Sequence, residues 1–263
     1  MRFAGAAACP LQLTIRKRLG EVKMERKTYD EMYASEDCHW WFVARKLVLQ
    51  KIIGQYLQNK KPSTVLEVGC GSGGNLKMLS TFGQISAMEL DDEARDMANK
   101  KNLCQVKKGK LPNELPFENG FDLICILDVL EHIDDDLAAL QALKAKLNQQ
   151  GTLLITVPAY QFLWSAHDVA SHHKRRYSKQ QLMQVIAKSG LTIQYITYFN
   201  TLLFPVIAAV RIMHNILGKT TGSDVSMPSK FVNNALKTIF ASERFLLPNI
   251  SLPFGVSILV IAN

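Results

Sequence analysis

The sequence predicts a doubly wound α/β fold, with a mostly parallel seven-stranded sheet and helices on both faces. Short apolar runs typical of buried strands alternate with amphipathic, helix-like runs along most of the 263 residues, which is the pattern of βαβ units. A glycine-rich stretch, GCGSGG, directly follows the first apolar run, where open α/β sheets place a ligand loop. The length suits one domain with a sizeable core.

The first half of the chain alternates strand and helix signals. An amphipathic helix is predicted over 42–58, and polar residues 59–63 break it. A buried apolar strand at 64–68 leads through the glycines into a helix at 73–81. The other elements predicted in this half are a strand at 85–88, a helix at 91–101, and strands at 103–106 and 121–127.

The second half continues the pattern and then departs from it. Apolar residues at helical spacing predict a helix over 134–147, and Gly151 separates it from a strand at 152–157. Gly190 closes the next helix, 178–188. The last predicted strands are 192–199 and 256–262, with an apolar, helix-like segment inserted between them.

Residues 1–23 are predicted to be a disordered leader, because they are alanine-rich and then basic, without apolar periodicity. Five basic residues against one acidic residue give this segment half of the net charge of +8. A transit peptide is the weaker alternative. The charge of the remainder is modest, so nucleic acid is not an expected partner.

Residues 24–263 are predicted to form a single domain. Its parts are a cap at 24–60, a cofactor-binding core at 61–200, a helical insert at 201–250 and a last strand at 251–263. The apolar insert is interpreted as helical cover, a lid over an acceptor pocket, a dimer face or a peripheral membrane contact. No run reaches the roughly 18 uncharged apolar residues of a membrane span. Cysteines without metal-ligand spacing favour reduced thiols and a cytoplasmic protein, with membrane association left open.

The glycine loop alone does not identify its ligand. Gly69, Gly71 and Gly74 satisfy the dinucleotide pattern G-x-G-x-x-G, and Glu89 follows Gly69 by 20 residues, where a carboxylate binds ribose. A phosphate-binding P-loop is excluded because no Gly-Lys-Ser/Thr follows. Glu67, two residues before the first glycine, favours a ligand with an ammonium group, since its carboxylate would repel a pyrophosphate.

Three motifs carry a resemblance to a known family. VLEVGCGSG, residues 65–73, resembles the first motif of class I, Rossmann-like methyltransferases of type 11 or 12 that depend on S-adenosylmethionine (SAM). AMELDDEA resembles their second-strand motif, and LPFENGFDLICILDVLEHIDD is similar to their fourth-strand motif. The resemblance spans roughly residues 65–190 and implies SAM as the cofactor.

The resemblance also implies roles for individual residues. Glu67 takes the amino group of SAM, Glu89 takes the ribose hydroxyls, and Asp128 lies beside the methyl donor. Leu90 and Leu111 pack on the adenine. One departure is Lys110, where the family often has an aspartate that contacts adenine. The full cofactor-binding set is Glu67, Gly69, Cys70, Gly71, Gly73, Asn75, Glu89, Leu90, Lys110, Leu111, Asp128 and Val129.

Candidate catalytic residues lie near the predicted acceptor side of the cofactor. They are His132, Asp168, His173, Arg175, Arg176 and Tyr177. All but His132 belong to the loop PAYQFLWSAHDVASHHKRRYSKQQL, which leaves the carboxyl end of the fifth strand. Its arginines favour an anionic acceptor, and Asp168 with His173 would form an oriented base. The alternative is structural, with Asp168 tying the loop through Arg175 or Arg176.

Three neighbouring features stay open. His132 is interpreted either as a base or as a residue that orders its loop. In HWWFVAR, residues 39–45, the two tryptophans either close the donor pocket or pack a helix onto the sheet. No metal is expected, although His167, Asp168, His172 and His173 form a conceivable ligand set.

The expected function is methyl transfer from SAM to oxygen, less readily to nitrogen or carbon, of a small or lipid-linked acidic acceptor. The alternatives are a nicotinamide-dependent oxidoreductase, which Gly74 favours and Glu67 opposes, and a SAM-binding module without catalysis. The sequence does not predict the oligomeric state.

Overall fold

A computed structural model of the chain describes residues 33–57, 64–217, 227–247 and 249–263. The predicted leader, 1–23, lies outside the described residues. The strands are β1 Thr64–Val68, β2 Gln84–Glu89, β3 Val106–Lys108, β4 Phe121–Leu127, β5 Leu147–Pro158, β6 Ile193–Phe199 and β7 Ser257–Ala262. The α-helices are α1 Trp40–Tyr56, α2 Leu76–Leu79, α3 Asp92–Asn99, α4 Asp136–Lys144, α5 Ala166–Ala170, α6 Lys179–Lys188, α7 Phe204–Ile216 and α8 Lys230–Ser242.

The seven strands form one sheet, and the predicted fold class is confirmed. The strand order is β3-β2-β1-β4-β5-β7-β6. Only β7 runs antiparallel to its neighbours, between β5 and β6. The order reverses between β1 and β4, so the switch point and its crevice lie at the carboxyl ends of these two strands.

The third strand lies later in the chain than the prediction. It was expected at 103–106 and instead begins at Val106. Asn102 has a left-handed φ of 54°, so the chain turns after α3 before it can extend. The side chain of Asn99 accepts a hydrogen bond from the backbone N–H of Val106 at 2.8 Å, which fixes the start of the strand.

Two further elements differ in length from the prediction. The helix expected at 73–81 is shorter in the structure, where it is α2, Leu76–Leu79. It starts later because Gly73 has a left-handed φ of 82° and belongs to the loop. The strand expected at 152–157 extends back to Leu147, where it pairs with Phe121 beyond a register irregularity.

Each face of the sheet carries its own apolar layer. In β1, Val65 points to one layer and Leu66 to the other, as strand alternation requires. The first layer includes the apolar faces of α1 and α8, and the second includes those of α4 and α6. These two layers hold the carboxyl ends of the strands, and therefore the crevice, in fixed positions.

The cap helix α1 packs on α8 of the insert. The ring of Phe240 lies 5.4 Å from that of Trp41 and 6.2 Å from that of Trp40, between centroids. The backbone N–H of Trp40 donates to Asn233 Oδ1 at 2.8 Å. The two tryptophans therefore make helix-packing contacts, as one of the two interpretations expected. Their partner in these contacts is α8, whereas the interpretation named the sheet.

The insert leaves large apolar side chains at the surface. Phe231 on α8 is 84% exposed, and Ile216 at the end of α7 is 79% exposed. Among the helices that the structure describes, none combines the length and the apolar character that crossing a bilayer requires.

Candidate functional site

The loop after β1 turns through three glycines with left-handed backbone. The φ angle is 68° at Gly69, 54° at Gly71 and 82° at Gly73, a conformation that other residues adopt only at a cost. A Cβ atom at Gly69 would lie 2.6 Å from Val129 Cγ2, whereas one at Gly71 would meet no atom within 4 Å. The backbone at Gly71 therefore borders open space that a ligand can enter.

Glu67 is a buried carboxyl group in β1 with one oxygen in use. Its Oε1 accepts a hydrogen bond from Asn75 Nδ2 at 2.8 Å, and its Oε2 has no hydrogen-bond partner. Burial raises the pKa of Glu67 to about 7, against the opposing effects of Asn75 and Arg45. A buried acceptor without a partner is costly, so this oxygen fits a ligand that brings an ammonium group, as SAM does.

Glu89 ties the end of β2 to the glycine loop. Its Oε2 accepts from the N–H of Gly71 at 2.8 Å, and its Oε1 accepts from Leu90 and Asp91 at 2.8 and 2.9 Å. Burial raises the pKa of Glu89, and the backbone hydrogen bonds lower it in part. The carboxylate thus lies at the end of β2, where the resemblance expects the ribose.

The predicted adenine contacts lie after β3 and β2. Leu111 is buried in the same apolar layer as Met88, and Leu90 is half-buried. The side chain of Lys110 is exposed, and its backbone N–H donates to the carbonyl of Glu114 at 2.9 Å. The lysine therefore holds the turn through its backbone. Cys70 is a buried free thiol in the glycine loop.

Asp128 follows β4 with a left-handed φ of 56°. Its Oδ2 lies 2.7 Å from Arg45 Nη2, and its Oδ1 accepts from Thr156 Oγ1 at 3.0 Å. Arg45 also donates to Thr156 Oγ1 at 2.9 Å. The cap helix α1 therefore contributes a buried guanidinium group to the crevice, next to the predicted position of the methyl donor.

Asp168 is the centre of a buried hydrogen-bond network in the acceptor loop. It accepts from Arg176 Nε at 2.7 Å and Nη2 at 2.9 Å, and it bonds His173 Nδ1 at 2.8 Å. Burial alone would raise the pKa of Asp168, but the hydrogen bonds from His173 and Arg176 hold it well below its usual range. The predicted Asp168–His173 pair is present, and Arg176 supplies the structural tie.

Arg175 and Tyr177 bond the start of α4. Arg175 Nη1 donates to Asp136 Oδ2 at 3.0 Å, and Arg175 Nη2 donates to the carbonyl of Asp134 at 2.9 Å. The hydroxyl of Tyr177 donates to the same Asp136 oxygen at 2.8 Å, and burial raises its pKa. Both side chains thus anchor the loop on α4, and their catalytic roles stay predictions.

Glu131 and His132 lie in a short 3₁₀ helix after β4, facing His173. Glu131 is fully buried, and neither of its carboxylate oxygens has a hydrogen-bond partner. Burial, together with the nearby Asp128, raises its pKa well above the usual value. The rings of His132 and His173 lie 4.7 Å apart. Burial, followed by the charge of His173, lowers the pKa of His132 to about 4.

The structure brings together residues that the sequence analysis did not single out. For Arg45 the sequence held a hint, because it stands four positions after Trp41 in HWWFVAR. Residues at this spacing share one face of a helix. Thr156 had the weaker signal of a polar residue near the end of an apolar strand. Glu131 has no distinctive signal in the sequence, because a glutamate among the acidic residues of LEHIDDD resembles any surface carboxylate.

A separate cavity of about 840 Å³ opens at the other end of the sheet. Its lining includes Thr64, Gln84 and Phe121, the first residues of β1, β2 and β4. It therefore lies away from the carboxyl ends of the strands and is not part of the candidate site.

Comparison with known families and structures agrees with this geometry. A family described as "Methyltransferase domain" matches residues 42–196, which is more than half of the chain. None of the curated proteins matches the sequence.

Solved methyltransferase structures share the fold. The plantazolicin methyltransferase BamL, in complex with a triazolic desmethylPZN analog and S-adenosylhomocysteine (SAH), has 15% identity and a TM-score of 0.56 over 90% of this chain and 87% of that chain. A TehB-like SAM-dependent methyltransferase from Corynebacterium glutamicum has 16% identity and a TM-score of 0.53 over 90% and 94%. The glycopeptide N-methyltransferase MtfA has 12% identity and a TM-score of 0.51 over 83% and 90%.

The family match includes the glycine loop, Glu67, Glu89 and the end of β4. These are also the residues that carry the resemblance in the sequence and that border the crevice in the structure. The chain therefore belongs to the class I SAM-dependent methyltransferases.

Proposed function

We propose that this methyltransferase transfers the methyl group of SAM to a hydroxyl oxygen of a small or lipid-linked acceptor. The observation that carries the proposal is the cluster of Glu131, His132 and His173, in which Glu131 is buried and both histidines are half-buried. Glu131 and His132 follow Asp128 at the carboxyl end of β4. A hydroxyl must lose its proton on methylation, whereas a carboxylate has none to lose. His173, oriented by its 2.8 Å hydrogen bond to Asp168, would be the proton acceptor beside the donor position, which supports a hydroxyl acceptor.

Residues of the crevice are proposed to hold SAM, which supplies an electrophilic methyl group on a sulfonium. Glu67 would bind the ammonium group through its unpartnered Oε2, and Gly71 would leave room for the ligand. Glu89 would bind the ribose. Because displacement at the methyl carbon requires alignment, the rigid loop and Asp128, fixed by Arg45, contribute chiefly by positioning.

A neutral acceptor is proposed because both candidate arginines of the acceptor loop are engaged within the chain. Arg175 is bonded to Asp136, and Arg176 is bonded to Asp168. Both guanidinium groups are therefore occupied by carboxylates of this chain. A neutral hydroxyl compound needs no such cation.

A lipid-linked acceptor is supported by the surface of the insert. Phe231, Ile216 and Val206 are mostly exposed on α7 and α8. An apolar surface of this kind favours contact with an acyl or isoprenoid chain or with the face of a membrane. A soluble small molecule would not use these side chains.

The proposal is tested by following the release of SAH from SAM with candidate acceptors. Small and lipid-linked alcohols are compared with their own methyl ethers, in which the hydroxyl is blocked, and with the corresponding amines. We expect release with alcohols alone and an increase when the alcohol carries a lipid chain. His173→Gln is expected to lower kcat by at least 100-fold.

Three results would contradict the proposal. Release with the amines but not the alcohols would assign a nitrogen acceptor. Binding of SAH, measured by calorimetry, without turnover of any acceptor would favour a SAM-binding module. Tight binding of NADH in the same experiment would revive the oxidoreductase alternative.

Gly71→Ala tests whether the open space in the loop holds the donor. The added Cβ would project into that space at a positive φ. We expect SAH affinity to fall at least tenfold, while the backbone strain lowers the free energy of unfolding by roughly 1–2 kcal/mol. Calorimetry and thermal unfolding measure the two effects separately.

Gly54→Ala is the matched control. Gly54 lies inside α1, and a Cβ there would only touch Phe82 Cε1 at 4.0 Å. Alanine is favoured over glycine inside a helix by about 1 kcal/mol, so this variant should gain stability and bind SAH normally. Unchanged SAH affinity in Gly71→Ala would place the ligand elsewhere.

A further inference from the structure

The cluster of Glu131, His132 and His173 brings three potential ligand atoms together, with Glu131 buried and both histidines half-buried. One nitrogen of each histidine and one oxygen of Glu131 all lie within 4.8 Å of one another. His173 Nε2 is 3.8 Å from Glu131 Oε1, too far for a hydrogen bond. Both oxygens of Glu131 lack a hydrogen-bond partner and are closed off from solvent. Buried polar groups are usually satisfied, so these two oxygens suit a bound cation.

The hydrogen bonds around the cluster orient both histidines as acceptors. Asp168 is paired with Arg176 through both of its oxygens and therefore accepts from the Nδ1–H of His173 at 2.8 Å. The lone pair of His173 Nε2 is then on the side of Glu131. His132 is hydrogen-bonded to the backbone of His172, which leaves its other ring nitrogen for the cluster. Histidines that bind metals characteristically donate their second N–H to a carboxylate or a backbone carbonyl.

The surrounding charges also favour a cation. Three carboxylates meet here, from Asp128, Glu131 and Asp168. Arg45 is paired with Asp128, and Arg176 is paired with Asp168. Unlike the other two carboxylates, Glu131 is not paired with an arginine. The basic group within ion-pair distance of Glu131 is His173, whose Nε2 lies 3.8 Å from Glu131 Oε1.

We propose that Glu131, His132 and His173 bind a divalent metal ion. Two imidazole nitrogens and one carboxylate oxygen suit Zn²⁺, Co²⁺ or Mn²⁺ better than Mg²⁺, which prefers oxygen ligands. Three protein ligands leave coordination positions open for another group. This site differs from the ligand set considered in the sequence, which contained His167 and His172, and it departs from the expectation of no metal.

The role of the ion rests on the proposed function. A cation beside Asp128 would lie next to the methyl-transfer position. There its positive charge would favour the ionised form of an acceptor hydroxyl. This effect would take the place of proton acceptance by His173, whose Nε2 would then bind the ion. Binding of the ion itself requires neither SAM nor an acceptor and can be measured without them.

The test is titration of the metal-free protein with Co²⁺ and, in competition, with Zn²⁺. We expect visible absorption bands of Co²⁺ bound through imidazole and carboxylate, with one ion per chain and displacement by Zn²⁺. Glu131→Gln, His132→Asn and His173→Gln are each expected to weaken binding at least tenfold. His214→Ala, at an exposed histidine of α7, is the matched control and should bind as the parent protein does.

Thermal unfolding provides a second measurement that does not depend on the spectrum. At saturating Zn²⁺ we expect the Tm of the parent protein to rise by about 5 °C or more. Glu131→Gln replaces the buried carboxyl group by an amide of the same shape and should fold without metal, as circular dichroism would verify, yet lose this rise. No binding by the parent protein, or binding that survives all three substitutions, would overturn the site. Failure of the alcohols as acceptors with metal binding intact would overturn the proposed function alone.

Discussion

Replacing Glu67 with glutamine is expected to weaken SAH binding about 100-fold, because the substitution removes a charged hydrogen bond to the ammonium group of the ligand. SAH carries the same amino-acid tail as SAM, so calorimetry with SAH reports this contact directly. Glutamine keeps the shape of the side chain and can still accept from Asn75, which lies 2.8 Å from Glu67 Oε1. The loss should therefore arise from charge and not from rearrangement of the loop.

The same substitution should change how the protein responds to pH. Burial raises the pKa of Glu67 to about 7 from an ordinary value of 4.5. The folded state therefore binds this proton more tightly than the unfolded state. The contribution to stability is fully present below pH 4.5 and is lost as the pH rises through 7, by roughly 3 kcal/mol in total. Glu67→Gln should be more stable than the parent protein at pH 8 and similar to it at pH 4.

Ligand binding should show the opposite trend with pH. The ammonium group of SAH requires the ionised carboxylate, so affinity for the parent protein should rise about tenfold between pH 6 and pH 8. In Glu67→Gln this rise should disappear. Glu118→Gln, at an exposed glutamate, is the matched control and should leave affinity and its pH dependence unchanged. Normal SAH binding by Glu67→Gln would remove the role assigned to this carboxylate.

Asp168→Asn is expected to be the most destabilising substitution of the acceptor loop. It removes the charge that neutralises Arg176, whose side chain is 2% exposed. Leaving one member of a buried ion pair without its partner costs about 3–5 kcal/mol. For a chain of this size the Tm should fall by roughly 10 °C. Calorimetric unfolding at pH 7 measures the change.

A double substitution separates the ion pair from the fold. In Asp168→Asn combined with Arg176→Met, no charge is left unpaired, so much of the lost stability should return. Asp134→Asn is the matched control, because the Asp134 side chain is 86% exposed beside Lys174 and such pairs contribute little. A fall in Tm equal to that of Asp134→Asn would contradict a stabilising role of the buried pair.

The pH dependence of this ion pair has the opposite sign to that of Glu67. Hydrogen bonds from His173 and Arg176 overcome burial and depress the pKa of Asp168. Its contribution to stability is therefore present above the ordinary pKa of 3.8 and is lost as the pH falls below that value. Acid unfolding of the parent protein should begin in this range. In Asp168→Asn, the loss of stability that comes from protonation of Asp168 should be absent.

The fold class and the cofactor crevice were predictable because their signals are local. The run 64–68, the glycines after it and Glu89 at the end of the next strand lie within one βαβ unit, so their spacing already determines their arrangement. The start of β3 was not predictable, because it depends on the left-handed Asn102 and on a side-chain hydrogen bond from Val106 to Asn99. Neither has a distinctive sequence pattern.

The acceptor side was less predictable because its contacts join distant segments. Arg45 meets Asp128 across 83 positions, and Arg175 meets Asp136 across 39. A run of basic residues has the same composition whether it binds a substrate or ties a loop to a helix. Only the folded chain distinguishes Arg176, which bonds Asp168, from a free arginine that could receive an anion.

The pairing of α1 with α8 has a consequence for synthesis on the ribosome. Trp40 bonds Asn233, which follows it by 193 residues, so about 10–40 s of translation separate the two. During that time the tryptophans of the cap lack the ring of Phe240, and Arg45 is carried by a helix not yet packed on its final neighbour. The nascent chain therefore exposes an aromatic surface to chaperones until Asn233 and Phe240, in the last eighth of the sequence, emerge.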